Sequence, residues 1–328
     1  MRKTLLLCCT LLLMGSSLPA LAACTTAAVT ASFGGVSSFT VNTNISTVTQ
    51  NISVNCGGGV LALLSTDTIR LQLTGASAVA AVGNRGAMKL GSDLIPVQLC
   101  TDASCTSELG IGGTIYTLSR SQLLGLNIGP AGQVIFSIPL YLRTVPGAVV
   151  AAGSYTVLLT VSVPYNVCTG VGVLGACLLG SQQTGTATQL ITVNIEISKD
   201  CTTITAPAVN FSSAPLVGSF NSVSQSINVI CTKDSTYTVG LSNGLHAVNS
   251  QRYMTSPAGG QLAYEIYQGS GTTRWGSATP DRVASSAASN TSGDGLTRTF
   301  NYNARVLTNQ ATPVAGNYSD TVTVDLSF

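Results

Sequence analysis

Residues 189–198 alternate with a period of two, setting Ile191, Val193, Ile195 and Ile197 on one face and Thr192, Asn194, Glu196 and Ser198 on the other. That is the pattern of a strand with one buried face. Segments of the same kind recur at 48–56, 68–74, 133–143 and 154–163, and again at 224–231, 237–242, 262–268, 297–306 and 320–328. Clusters of Gly, Ser, Thr, Asn and Pro separate them, and no sustained helical period intervenes. Many short strands with turn signals between them predict an all-β chain of sandwich type, with no alternation of strands and helices.

The strands come in two similar series. The first opens at Cys24, reaches Ile52-Ser-Val-Asn-Cys56 and later reads Ala152-Gly-Ser-Tyr155. The second opens at Cys201, reaches Ile227-Asn-Val-Ile-Cys231 and later reads Ala315-Gly-Asn-Tyr318. After Tyr165 the first series passes through an expected loop into 189–198; the second, at the same distance past its Ala-Gly-x-Tyr turn, reaches Phe328. The second sandwich is therefore expected to be incomplete, lacking its last strand, with an apolar groove and unpaired backbone that need a partner strand. The polar link Ser198-Lys-Asp-Cys201 sets the expected domains at 23–198 and 199–328.

Residues 1–22 read as a secretory leader: basic Arg2 and Lys3, an apolar run from Leu5 to Leu13, and Ala20-Leu-Ala22 before a cleavage point. The apolar run is too short to span a bilayer. Without Arg2 and Lys3, the 14 Lys and Arg fall to 12, which balances 12 Asp and Glu. No basic field is left for nucleic acid. Ten cysteines less Cys8 and Cys9 of the leader leave an even eight, fitting an oxidising compartment. The repeat proposes Cys24–Cys56 and Cys201–Cys231, and the local pairs Cys100–Cys105 and Cys168–Cys177 use the rest. A competing signal is Leu21-Ala-Ala-Cys24, which looks like a lipobox; lipidated Cys24 would strand Cys56 and make the protein an envelope lipoprotein. Val322, Val324, Leu326 and Phe328 also resemble the closing strand of an outer-membrane barrel, but 5% aromatic residues are too few for two girdles. The single histidine, His246, and the absence of a Cys-x2-Cys pair give no expected metal site or cofactor. No nucleophile elbow, triad order or paired carboxylates point to an enzyme.

The stretch Cys201 to Phe328 resembles the spore coat U family, which includes subunits of archaic chaperone–usher pili. The resemblance rests on Cys201…Phe211, Val229-Ile-Cys231-Thr, Tyr237-Thr-Val-Gly-Leu-Ser-Asn-Gly244, Arg252-Tyr-Met254 and Leu262-Ala-Tyr-Glu-Ile-Tyr267. It continues through Arg274-Trp-Gly276 and Ala315-Gly-Asn-Tyr-Ser-Asp-Thr-Val-Thr-Val324. It implies two immunoglobulin-like sandwiches, the second open along a donor-strand groove edged by Tyr318, Val322, Val324, Leu326 and Phe328. A periplasmic chaperone would fill that groove first, and the next pilin subunit would replace it by donor-strand exchange at an outer-membrane usher. With only Ala23 ahead of Cys24, the mature chain is expected to accept a strand but not donate one, and so to cap the fibre as a tip adhesin at the cell surface. The alternative is a non-adhesive structural subunit of a fibre or coat.

Between residues 121 and 195 the only charged side chain is Arg143. Three Gly-rich apolar runs lie where loops are expected: 57–64, well ahead of that region, and 123–130 and 169–176 within it. They carry Val60, Leu61, Leu63, Leu64, Leu124, Leu126, Ile128, Val171, Val173 and Leu174. Exposed apolar patches mark contact sites, so these residues are the expected surface-binding loops, directed at hydrophobic surfaces or an unidentified receptor. Attachment and biofilm formation would follow.

Overall fold

The computed structural model describes residues 24–57, 67–119, 127–128, 134–173 and 176–328. The expected leader, 1–22, lies outside them. Up to Ser198 the strands are β1 Thr25–Thr26, β2 Val29–Ser37, β3 Thr47–Cys56, β4 Thr68–Ala76, β5 Gly86–Leu90, β6 Asp93–Cys100, β7 Tyr116–Ser119, β8 Asn127–Ile128, β9 Val134–Thr144, β10 Gly153–Val173 and β11 Ala176–Ser198. All eleven join in the order β1-β3-β9-β6-β5-β10-β11-β2, with β4 and β7 branching from β10 and β8 pairing β9. A short α-helix, α1 Ser38–Thr43, follows β2; the Ser37 hydroxyl accepts the Phe39 N–H at its start.

Past Lys199 and Asp200 come β12 Cys201–Thr205, β13 Val223–Cys231, β14 Thr238–Leu241, β15 Arg252–Thr255, β16 Gln261–Gln268, β17 Val283–Ala284, β18 Asn290–Thr291, β19 Thr297–Val306 and β20 Val324–Ser327. They form two facing sheets, β12-β13-β19-β16-β15 and β17-β14-β20. Trp275 lies between them fully buried, its indole N–H donating to the Val239 carbonyl at 2.9 Å and its ring against Phe300 and Tyr302. A buried indole needs such a partner. Among the described residues no strand ladder joins the two sets of sheets, which share only the isolated bridge Ala151↔Lys233.

The alternating residues pack as their period requires. Ile191, Val193, Ile195 and Ile197 are buried, facing inward beside Tyr155, Val157, Leu159, Val161 and Val163 of β10. Strand β11 is flanked on both sides: β10 runs antiparallel to it, and β2 runs parallel to it from Val29 to Ser37. The start of the chain thus changes partner, pairing β3 through Thr25 and Thr26 before crossing to β11. The β2 ladder slips at a bulge near Gly34, whose φ of 73° suits glycine.

Two expectations need correcting. The segment from Tyr165 to Gln189 is not a loop: β10 and β11 continue as one hairpin to Val173↔Ala176. Residues 169–173 and Ala176, expected in a loop, lie on this ladder, because a continuing partner satisfies the backbone even where glycines weaken the strand. Conversely, the final strand expected over 320–328 is a ladder only from Val324 to Ser327.

Cystine bridges join Cys24 to Cys56, Cys100 to Cys105, Cys168 to Cys177 and Cys201 to Cys231. The first and last occupy matching places: each ties an opening strand to its neighbour, with Cα–Cα distances of 4.0 and 3.9 Å. The Cys24 sulfur, proposed for lipid by the lipobox-like sequence, is held in its bridge.

Candidate functional site: an open groove in the second domain

The two series can be aligned residue by residue. The Tyr155 hydroxyl donates to the Ala151 carbonyl, four residues upstream, at 2.9 Å. The Tyr318 hydroxyl donates to the Val314 carbonyl, again four residues upstream, at 2.6 Å. This is the corner by which a sandwich fixes the start of its penultimate strand. The match sets Val157 against Asp320, Leu159 against Val322, Val161 against Val324, Val163 against Leu326 and Tyr165 against Phe328.

In the first domain β11 covers this column on its open side. In the second, among the described residues, no strand does. Strand β20 pairs β14 from Thr238↔Ser327 to Leu241↔Val324, and among the described residues no strand pairs its other edge. Val322, Val324 and Leu326 are only partly buried against the core, and Phe328 is 61% exposed, touching the Tyr237 ring edge-on at 6.2 Å. Across the gap, residues 206–222 form no strand. Val209 and Phe211 from this segment reach the core, while Leu216, Val217 and Phe220 join Met254, Leu262 and Tyr318 around a cavity of about 700 Å³. Leu216 and Val314 in its lining are strongly exposed, beside the polar side chains of Ser212, Ser213, Thr312 and Asn317.

Polar groups brace the walls from behind. Arg252, fully buried, donates to the carbonyls of Leu241, Ser242 and Trp275 at 2.6–3.0 Å and pairs with Glu265. Arg274 holds the other Glu265 oxygen at 2.9 Å and reaches Asp281 and Asn243. Burial pulls the Arg252 guanidinium below its usual range, against the pull of Glu265. Arg282 pairs with Asp325 at 2.6 Å, lying across Gly240, where any Cβ would collide with it. Asp320 accepts from Tyr264 at 2.7 Å and from the Leu245 N–H at 2.9 Å, with His246 Nδ1 at 3.1 Å. Burial, then Asp320 itself, pushes the Tyr264 phenol well up, so it remains a donor.

Of the expected groove residues, Val324 and Leu326 lie in β20, Val322 and Phe328 flank it, and Tyr318 lines the cavity. The facing wall, with Val209, Leu216, Val217 and Phe220, has no sequence periodicity to announce it; Phe211 alone stood among the residues of the family resemblance.

Of the expected surface-binding residues, Val60, Leu61, Leu63, Leu64, Leu124, Leu126 and Leu174 lie outside the described residues. Ile128 lies in β8, and Val171 and Val173 end β10. Their flanks share one end of the domain: Cys56 is opposite Val134, Val134 is also opposite Ile128, and Thr68 is opposite Asn166, beyond which the hairpin runs on to Val173. Among the described residues no cluster of His, Cys, Asp and Glu could hold a metal ion.

The Spore Coat Protein U domain family matches residues 10–162 and 187–325. Among curated proteins none matches significantly. Among solved structures, the chain is similar to the chaperone–tip adhesion subunit pre-assembly complex CsuC–CsuE from archaic chaperone–usher Csu pili of Acinetobacter baumannii. Identity is 25%, covering 93% of this chain and 100% of that one, with a TM-score of 0.56. CfaE, the adhesive subunit of CFA/I fimbria of enterotoxigenic Escherichia coli, matches at 11% identity over 93% and 92% of the two chains, with a TM-score of 0.37. The CupB6 tip adhesin from Pseudomonas aeruginosa matches at 10% over 89% and 90%, with a TM-score of 0.36.

Proposed function

Because the chain belongs to the spore coat protein U domain family, we propose that it is the tip adhesin of a chaperone–usher pilus. In this reading the second domain accepts a strand through its groove, first from a periplasmic chaperone and then, at the outer-membrane usher, from the next pilin subunit. The protein is exported to the fimbrial tip, where the first domain attaches to apolar surfaces through the end bearing Val171 and Val173 and supports biofilm formation. Likeness to the Csu tip subunit over nearly the whole chain supports the two-domain adhesin reading.

One observation carries it. The chain holds a finished and an unfinished version of one arrangement: β11 fills the edge of the first domain, while among the described residues no strand fills the matching edge of the second, and at its start Tyr318 lines a cavity of about 700 Å³. Unpaired strand edges with apolar walls recruit another strand.

The test is a titration of the purified full chain with a synthetic peptide of residues 185–198. It should bind one to one and raise the melting temperature of the second domain progressively with concentration. Val324→Asp should abolish the effect by burying an unpaired carboxylate. A melting curve that ignores the peptide at saturating concentration sinks the reading.

A further inference from the structure

We propose that Asp320 is a positioning residue that holds the unpaired half of the acceptor edge, residues 316–323, in the shape an incoming strand requires. The inference rests on strand acceptance by the groove and adds how the edge is kept ready. In the first domain the corresponding stretch needs no such help. Val157 pairs Val193 on one side; on the other, Thr156 meets Lys89 and the Leu158 carbonyl accepts from Ser77 at 2.9 Å.

The open edge lacks that ladder. Among the described residues its backbone is tied at two places, by the mutual bonds of Ser319 and Thr255 at 3.0 Å and by the Thr323 carbonyl accepting from Ser242 at 2.9 Å. Between them, the anchor is the Asp320 side chain, placed where the finished domain has an apolar valine. Its carboxylate is 2% exposed and points across the sandwich to Tyr264 on the facing sheet, while Leu245 and His246 close over it. The loop can close only because residue 244 is glycine: its φ is +83°, and a Cβ there would stand 1.9 Å from Asp320 Oδ2. The side chain is covered while the backbone stays accessible, the arrangement wanted of a strand awaiting a partner. Holding the edge still beforehand spares the incoming strand the cost of ordering it.

The experiment compares two forms of the full chain, one open and one completed by residues 185–198 fused behind Phe328 through a short turn. Asp320→Val is made together with Tyr264→Phe, so that no buried hydroxyl is orphaned. The completed variant should melt like its completed parent, since valine serves at this place in the first domain. The open variant should bind the 185–198 peptide about tenfold or more slowly, the scale of losing hydrogen bonds to a charged group. Open Gly244→Ala, which pushes the loop off the carboxylate, should slow binding in the same sense. Unchanged rates in both open variants overturn the proposal while leaving strand acceptance intact. A completed variant that no longer melts cooperatively also overturns it, because Asp320 would then belong to the finished core. An open parent that binds no peptide overturns both readings.

Discussion

Arg252 shows how a residue that looks unremarkable in the sequence becomes indispensable. Its guanidinium is removed from water and shared among three carbonyls and Glu265, which Arg274 holds from the other side. Only a planar fork can serve so many acceptors at once. Arg252→Ala should cost about 3–5 kcal/mol by leaving Glu265 and the carbonyls under-partnered. Arg252→Lys should recover little of that, since one ammonium cannot reach them all. Chemical denaturation of the strand-completed chain measures both. The motifs Arg252-Tyr-Met254 and Arg274-Trp-Gly276 were visible as a family likeness, but nothing in the linear order shows that Glu265 joins them. Cys24, Cys56, Cys201 and Cys231 were more legible, because their pairing is stated twice at nearly equal spacing.

Strands were legible in proportion to their alternation. Ile191, Val193, Ile195 and Ile197 announce β11, and their burial follows from it. Strand β2 does not announce itself: Val-Thr-Ala-Ser-Phe-Gly-Gly-Val-Ser carries a bulge and two adjacent exposed glycines, Gly34 and Gly35, so its period breaks. The wall at 206–222 is harder still, being held by side chains and by no ladder. The hairpin of β10 and β11 is understated by its sequence because Gly170 and Gly172 suggest a turn, whereas in register they face a partner. That hairpin carries the end of the first domain proposed to meet a surface. Replacing Leu63, Val173 and Leu174 with Asp or Ser should cut attachment to hydrophobic surfaces at least severalfold without impairing fibre assembly. At ~25 cal/mol per Å², roughly 200 Å² of lost apolar contact is about 5 kcal/mol before association costs. Added salt should leave attachment unchanged, since no ion pair is screened. Full attachment by the triple variant, counted on immobilised hydrophobic beads, would put the binding end elsewhere.

At the scale of the molecule, the two domains meet through few but directed contacts. Lys233 pairs with Asp93 at 2.5 Å, Lys233 and Ala151 form a parallel bridge, and the hydroxyls of Ser38 and Thr232 lie 2.9 Å apart. Burial tends to raise the Asp93 carboxyl, but bonds from Lys233, the Ala151 N–H and Tyr155 together hold it below its ordinary range. Lys233 is raised, chiefly by its bond to Asp93. The acid's contribution is present above its ordinary pKa of 3.8 and is lost as pH falls through the lower folded value. The lysine's is present below 10.5 and is lost as pH rises through the higher folded value. Between these limits domain coupling should be flat with pH. Lys233→Met should weaken it by about 1–2 kcal/mol, seen by calorimetry as two melting steps drawing apart. The short link of Lys199 and Asp200 has a mechanical consequence. It runs from β11 directly into β12, so tension applied to a strand seated in the groove enters the first domain along the axis of β11. That strand is clamped between β10 and β2, and its ladder bonds lie across the pull. They must fail together in shear, not peel one by one, and a fibre dragged by flow would therefore load its tip along the direction in which the first domain is hardest to tear.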